Sequence, residues 1–584
     1  AVTLKIRWER LDRKGPVGEY LAVEDRDAAN RIYEPVDLDD PRLLARDGWA
    51  PSEGNPQFHQ QMVYAVAMKT IEHFERALGR PVLWRPHPDK PDNDRAFVQR
   101  LTIRPHAFQD ANAYYSPSQV ALLFGYCDAG AEHPGEQMPG SRVYTCLSHD
   151  IIAHETTHAI LDGMHRRFNE PTNLDVLALH EGFADIVALL QHFTIPEMLA
   201  QEIGRTRGDL ASESMLGSLA VQFGWATGGR GALRDAIGRM VDGVWQRHTP
   251  DPADLGKRLT PHGRGALLVA AVFDAFIAIY KTRIADLLRI YTGGTGVLPE
   301  GAIHPDLVTR LAGEASKSAG HVLTMCIRAL DYLPPVDVTF FEYLRALITA
   351  DYDLVRDDRY NYRVAFVEAF RCRGIYPLNL ATPSPDTLRT LSVETLRWQG
   401  IDTAKLPKSH YQEIIAGLKQ YADACFYRGQ RQALYKATWH HRRILHRQLK
   451  QAFKDHPDFA AELGLDGGRA FEVHEMRRAM RITPDGRHTP QVVVCLTQSR
   501  PIAADRRRGT PRFMFSGGAT LIVDLSLPAV TYRIVKHVES QSRLARTAEF
   551  ARQVAADPLR ALYFASDRAE PFAALHALAE GQSD

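Results

Sequence analysis

The sequence lacks any clustering of cysteine. Its six cysteines (Cys127, Cys146, Cys326, Cys372, Cys425 and Cys495) are scattered, with no CxxC pair. They read as reduced thiols rather than a disulfide framework. An excess of one charge is also lacking: 71 Lys and Arg stand against 70 Asp and Glu, a net of +1. No global charge therefore argues for nucleic acid or a membrane as the main partner. No apolar run reaches the ~18 residues of a membrane span, so none is expected. The opening Ala1-Val2-Thr3-Leu4-Lys5 has no basic segment followed by an apolar one. No signal peptide is expected, and a cytoplasmic location fits the thiols. Internal repeats and low-complexity tracts are missing too. What remains is an ordinary globular composition, 45% hydrophobic and 24% charged, too apolar for a disordered chain. At ~100–200 residues per domain, the length suggests about three domains.

Residues 1–50 are polar and proline-punctuated and read as an irregular lead-in. A helix is predicted over about 56–78, with Pro56 at its start and Gly79 as C-cap. Extended stretches follow at 97–103 and 119–125. Residues 150–380 read mostly as helix, with Val269–Lys281 apolar all round like a central buried helix. Phe340–Val355 and Tyr362–Phe370 are predicted amphipathic helices. Pro377, Pro383 and Pro385 suggest a boundary. Beyond it lie a basic helical stretch (about 409–453), then antiparallel strands at 491–496, 519–525 and 530–535, with a turn at Pro484-Asp485-Gly486. Helices close the chain. The fold class is α+β.

The chemistry concentrates in His154-Glu155-Thr156-Thr157-His158. Two histidines four apart share one helix face and can reach one metal ion. Glu155 lies one step round, beside the open position of such a site. Apolar Ile151, Ile152, Ala153, Ala159, Ile160 and Leu161 bury the helix, so its polar residues need partners. A catalytic zinc site needs a third protein ligand. The candidate is Glu181, in His180-Glu181-Gly182-Phe183-Ala184-Asp185 on a second apolar helix. Asp185, one turn on, can accept the free ring N–H of a liganding histidine and fix its tautomer. Adjacent residues point ~100° apart on a helix, so only one of His180 and Glu181 can serve. The plainer alternatives are satisfied core histidines at 154 and 158 and a solvated helix face at 181 and 185.

These motifs resemble the thermolysin-like gluzincin metallopeptidases, over about residues 50–377. Asp150–Ala159 is similar to the family's zinc helix, and His180-Glu181 through Asp185 to its Asn-Glu-x-x-Ser-Asp. Asn112-Ala113-Tyr114-Tyr115, with Gln119 and Phe124-Gly125, resembles its Asn-Ala-x-x edge strand. Arg328–Asp331, the helix at 340–354 and residues 364–374 resemble its last helices. The resemblance implies a β-rich half ending in the zinc helix (51–165), a helical half (166–380), and a cleft between them. It implies one catalytic Zn2+ on His154, His158 and Glu181, and Glu155 as general base and acid. Asn112 and Ala113 would contact a peptide substrate by strand addition, although Asn112 can equally be a turn residue. The family's histidine and arginine that stabilise the oxyanion match His262 and Arg234, with Arg264 a close rival; all three can also be ordinary loop charges.

Some features depart from the family. The gap from His158 to Glu181 is a few residues longer. The family's tyrosine in that loop has no counterpart among His165, Arg166 and Asn169. His192 stands where a calcium site would have a carboxylate, although Asp150 fits, so calcium is not expected.

Residues 381–584 form an accessory α+β module with an antiparallel sheet, and a protein partner is the default expectation for it. Its basic stretch, from Arg428 to Lys454 with Tyr427, Tyr435 and Trp439 interleaved, is read as a solvated or dimer-facing helix more readily than as an RNA-binding one. The expected activity is zinc-dependent endopeptidase action on a peptide or protein. The rivals are a metal-stabilised scaffold and a nucleic-acid-associated factor.

Overall fold

The computed structural model describes residues 3–12, 15–90, 94–128, 141–211, 238–241, 244–376, 408–426, 429–483, 485–564 and 570–579. Arg234, Tyr427, Arg428, Pro484 and the boundary expected at Pro377–Pro385 lie outside them. The chain is mixed α+β.

Helix α1 (Pro56–Leu78) begins at Pro56, with the Asn55 side chain accepting the Gln57 N–H. It ends at Gly79, whose φ of 66° is the left-handed cap that glycine adopts without strain. A side chain there would also strike the Met480 carbonyl, 2.1 Å from the Cβ position. Behind α1 lies a sheet of β1 (Leu21–Val23), β2 (Leu101–Phe108), β3 (Ala113–Ser116), β4 (Ala121–Asp128) and β5 (Arg142–Tyr144). Its order is β1-β2-β4-β3, with β5 also on β4. β1, β2 and β4 run parallel, whereas β3 runs antiparallel to β4 and ends the sheet. The extended segment predicted from residue 97 becomes a strand at Leu101, later than the sequence suggested.

Helices α2 (His149–Met164) and α3 (Leu174–Phe193) follow, capped by the Ser148 and Asn173 side chains. A β6–β7 hairpin (Gly238–Val241, Val244–Arg247) precedes α4 (Pro261–Tyr291). That helix is long and apolar enough to cross a membrane, but 78% of its most apolar window is buried inside the protein. It is the central core helix. Against it pack α3, α5 (Pro305–Ala329) and α7 (Tyr362–Arg371), and α6 (Phe340–Leu354) packs on α5 and α7.

The basic stretch forms two helices, α8 (Lys408–Phe426) and α9 (Arg431–Asp455). Part of its charge serves the fold. Arg431 is buried and donates to the carbonyls of Val82, Glu19 and Gln99, and Arg442 donates to that of Val473. The last sheet is antiparallel, in the order β11-β10-β9-β8: β8 (Glu472–Ile482), β9 (His488–Ile502), β10 (Phe513–Asp524) and β11 (Ala529–Lys536). Strand alternation divides it between two cores. Val492, Val494, Leu496, Leu521 and Val523 join a core with α8 and α9. Val493, Cys495, Ile522, Tyr532 and Ile534 join the main core. Three helices, α10 (Gln541–Ala556), α11 (Pro558–Phe564) and α12 (Pro571–Ala579), close the chain, and the module is continuous in packing with the helical half.

A buried charge cluster fastens the two. Arg80 grips Asp331 with two hydrogen bonds of 2.6 and 2.7 Å, Arg481 of β8 adds one of 2.6 Å, and Arg477 lies 3.7 Å away. Burial pushes the Asp331 carboxyl up, but the three guanidiniums prevail and hold it far below the usual range. Because that carboxyl is depressed in the folded protein, its stabilisation is complete at neutral pH and is lost as the pH falls. Asp331→Asn leaves Arg80 and Arg481 with no carboxylate among the described residues, whereas Arg477 keeps Glu475 at 3.3 Å. The substitution is expected to cost about 3–5 kcal/mol at pH 7 in a denaturant titration. The gap to wild type should narrow below about pH 4, where the unfolded carboxyl takes up its proton.

Candidate metal centre

Helices α2 and α3 face each other, and their polar residues meet in an otherwise apolar interior. The ligand atoms of His154, His158, Glu181 and His576 all lie within 4.8 Å of one another. Glu181 is fully buried, and neither of its oxygens accepts a hydrogen bond from the described residues. Instead Oε2 is ringed by imidazole nitrogens. Nε2 of His262 lies at 3.2 Å, and Nε2 of His154, His158 and His576 each at 3.5 Å. A buried carboxylate without hydrogen bonds is costly unless a cation satisfies it. Imidazole nitrogens with a carboxylate oxygen are the donor set of a transition-metal ion such as zinc. The group can hold a metal ion.

The surrounding partners orient these donors. His154 Nδ1 lies 2.8 Å from Asp185 Oδ1. That carboxylate accepts the ring N–H and leaves Nε2 bare toward the centre. His158 Nδ1 lies 2.7 Å from His180 Nδ1, so His180 stands behind His158 while Glu181 faces the centre. His154 Nε2 and His158 Nε2 approach to 2.8 Å. Burial raises the Glu181 carboxyl, yet His158 and His262 outweigh it and hold it well below the usual carboxylate range. Burial holds His158 well down and pushes His180 down to about 4. For His154, burial works downward but Asp185 wins, and the group is raised.

Glu155 ligates nothing in this arrangement. Its Oε2 accepts the Tyr115 N–H of β3 at 2.8 Å, and burial pushes its carboxyl up. The Tyr115 hydroxyl in turn donates to Asp162 of α2 at 2.9 Å. Asp162 also binds Asn169 at 2.8 Å and Arg85 at 3.1 Å. Tyr115 therefore pins the edge strand to the metal helix at two points, a role the sequence did not reveal. Asn112 and Ala113 lie at the start of the same strand, the Asn112 Oδ1 accepting the Ala113 N–H.

His262 reaches Glu181 from the first turn of α4. It does so because α3 and α4 touch backbone to backbone: a Cβ on Gly182 would lie 2.7 Å from the Gly265 carbonyl, and one on Gly265 would lie 2.8 Å from that of Ala178. Arg264, the rival, turns away to Asp175 and the carbonyls of Leu255 and Arg258. Arg234 is not among the described residues. In the α2–α3 connection, His165 stacks on Phe168 at 4.1 Å and Arg166 faces Glu472.

His576 went unanticipated. It lies on α12 (Pro571–Ala579), far along the sequence, and its Nδ1 is 2.8 Å from the Ala113 carbonyl. Burial lowers it, but Glu155 and Glu181 prevail and push it up to about 9. Its one sequence signal is a four-residue spacing from Phe572 in an apolar segment, too common to single out.

Two further groups have metal-ligating atoms close together. His59, His106 and Cys146 are buried behind Asp25, whose Oδ1 lies 2.6 Å from His106 Nδ1. His149, Asp150 and His192 gather at the position considered for calcium. Two of those three are nitrogen donors, whereas calcium takes oxygen ligands.

No protein-family model matches the chain, and no curated protein matches it.

In metal-loaded protein, chelation by excess EDTA is expected to lower the melting temperature, since the buried Glu181 would then lose its cation. Asp185→Asn should weaken metal affinity about 10–100-fold in a competition titration with a chromogenic chelator. Gly265→Val should force α3 and α4 apart at a cost of about 1–3 kcal/mol, read by denaturant titration.

Proposed function

We propose that the protein is a zinc-dependent peptidase of the gluzincin type. A thermolysin-like arrangement would set the sheet and α2 against a helical half beginning with α3. The position of Glu155 carries this reading. Its carboxylate stands beside the metal-binding cluster and the edge strand, with Oε2 held by the Tyr115 N–H and Oε1 3.5 Å from His576 Nδ1. A site kept only for structure has no use for a buried carboxylate that ligates nothing.

Zinc bound by His154, His158 and Glu181 would polarise the scissile carbonyl and lower the pKa of a bound water. The remaining tasks fall to the chain itself. β3 would take an extended peptide along its outer edge, with the Ala113 backbone and Asn112 side chain as contacts, once the Ala113 carbonyl is released by His576. Glu155 Oε1 takes the proton from the attacking water and returns it to the leaving amine as the C–N bond breaks. Its raised pKa makes it the stronger base. His262 Nε2, 3.2 Å from Glu181 Oε2, would be the donor from the helical half for the oxygen that becomes negative. The Gly182–Gly265 contact positions it.

A different observation favours the second reading, a metal-stabilised binding protein: His576 offers a fourth donor, and four protein donors mark a structural zinc site. Glu155→Gln separates the two readings. The expected result is unchanged zinc content with peptide-library cleavage down by about 10²–10⁴-fold, the usual worth of a general base. A library cut equally fast by both proteins would sink the peptidase mechanism.

A further inference from the structure

We propose that His576 is the fourth ligand of the metal and that α12, seated on β3, is an internal occupant of the substrate strand. The centre would then be closed until this helix withdraws. The proposal rests on the metal-centre reading above and extends it to how the site is controlled.

Three independent contacts place α12 there. The first is His576 itself. Its Nδ1 is 2.8 Å from the Ala113 carbonyl, an acceptor, so the ring proton sits on Nδ1. When the ring is neutral, as a metal ligand must be, Nε2 is then a bare lone pair. It is buried without a hydrogen-bond partner among the described residues and lies 3.5 Å from Glu181 Oε2. The same logic orients a liganding histidine whose far nitrogen is held by a carbonyl. The second is Phe572, one turn earlier on the same helix face. It is almost wholly buried and stacks on the His158 ring, with centroids 4.5 Å apart and planes at 27°. Its ring also lies 5.8 Å from that of Tyr115 and 4.9 Å from that of His180. The third is Glu570, whose Oε1 accepts hydrogen bonds from the Ser116 hydroxyl at 2.9 Å and from the Ser118 hydroxyl.

These contacts run along β3 from Ala113 to Ser116 and just beyond. A peptide adding to that strand needs the Ala113 carbonyl that His576 occupies. Substrate and α12 therefore compete for one backbone acceptor, and water and His576 Nε2 compete for one metal position. If the closed form dominates, apparent affinity for any ligand of the centre falls to the intrinsic affinity times the fraction of protein that is open.

The test uses the full chain loaded with Co2+, whose visible spectrum reports its ligands, and acetohydroxamate as the probe. Wild type is compared with His576→Ala, which removes the donor, and Phe572→Asp, which keeps the donor but unseats the helix. Both variants are expected to retain metal and to bind acetohydroxamate about tenfold tighter or more than wild type, with the spectral change of an added ligand. In the wild type, hydrogen exchange of amides 571–579 is expected to quicken when the metal is stripped. Equal acetohydroxamate affinity in all three proteins would overturn the proposal. So would exchange at 571–579 that ignores the metal, a measurement that needs no variant to fold. If the variants bind acetohydroxamate tightly yet cut no peptide, closure by His576 stands and the peptidase reading falls.

Discussion

The carboxylate of Glu181 is the constraint on which the site depends. It sits in an apolar helix, fully buried, with neither oxygen hydrogen-bonded among the described residues and with four imidazole nitrogens around Oε2. Burying a carboxylate without hydrogen bonds is tolerable only beside positive charge. Those imidazoles come from α2, α4 and α12, so the demand of one buried anion draws together three helices distant in sequence. The partners behind them, Asp185 and His180, follow from the same demand, because each ring must face the centre with a particular nitrogen.

Two further contacts frame this cluster. Tyr115 binds Glu155 through its backbone and Asp162 through its hydroxyl, which sets the height of the edge strand above the metal helix. The Gly182–Gly265 crossing brings α4 close enough for His262 to reach the same carboxylate. A side chain at either glycine would separate the helices and take His262 with it. The charge cluster on Asp331 works at a larger scale. It couples the end of α1 and strand β8 to the helical half, so the last sheet completes the main core.

Much of this was legible in the residues. The i, i+4 spacing of His154 and His158, and of Glu181 and Asp185, puts each pair on one helix face whatever the loop between them does. The α1 boundaries were equally readable, because Pro56 and Gly79 act through local backbone chemistry. Tyr115 and His576 were not. Tyr115 looks like any strand aromatic until its N–H is seen on Glu155. His576 belongs to a short apolar helix of ordinary pattern, and only the whole fold brings it to the metal-binding cluster. Nor does alternation in β9 and β10 say that both faces are buried against different cores.

The sequence by itself determined the donor types, their spacing on each helix, and the helix ends, because these depend on residues within a turn or two of one another. The tertiary structure alone decided which carboxylate and which histidines face a common centre, that His180 stands behind rather than at the metal position, and that a distant helix lies across the edge strand. Those outcomes depend on how separate elements pack. Packing is set by the sum of many buried contacts, such as the glycine crossing of α3 and α4, and no local pattern encodes that sum.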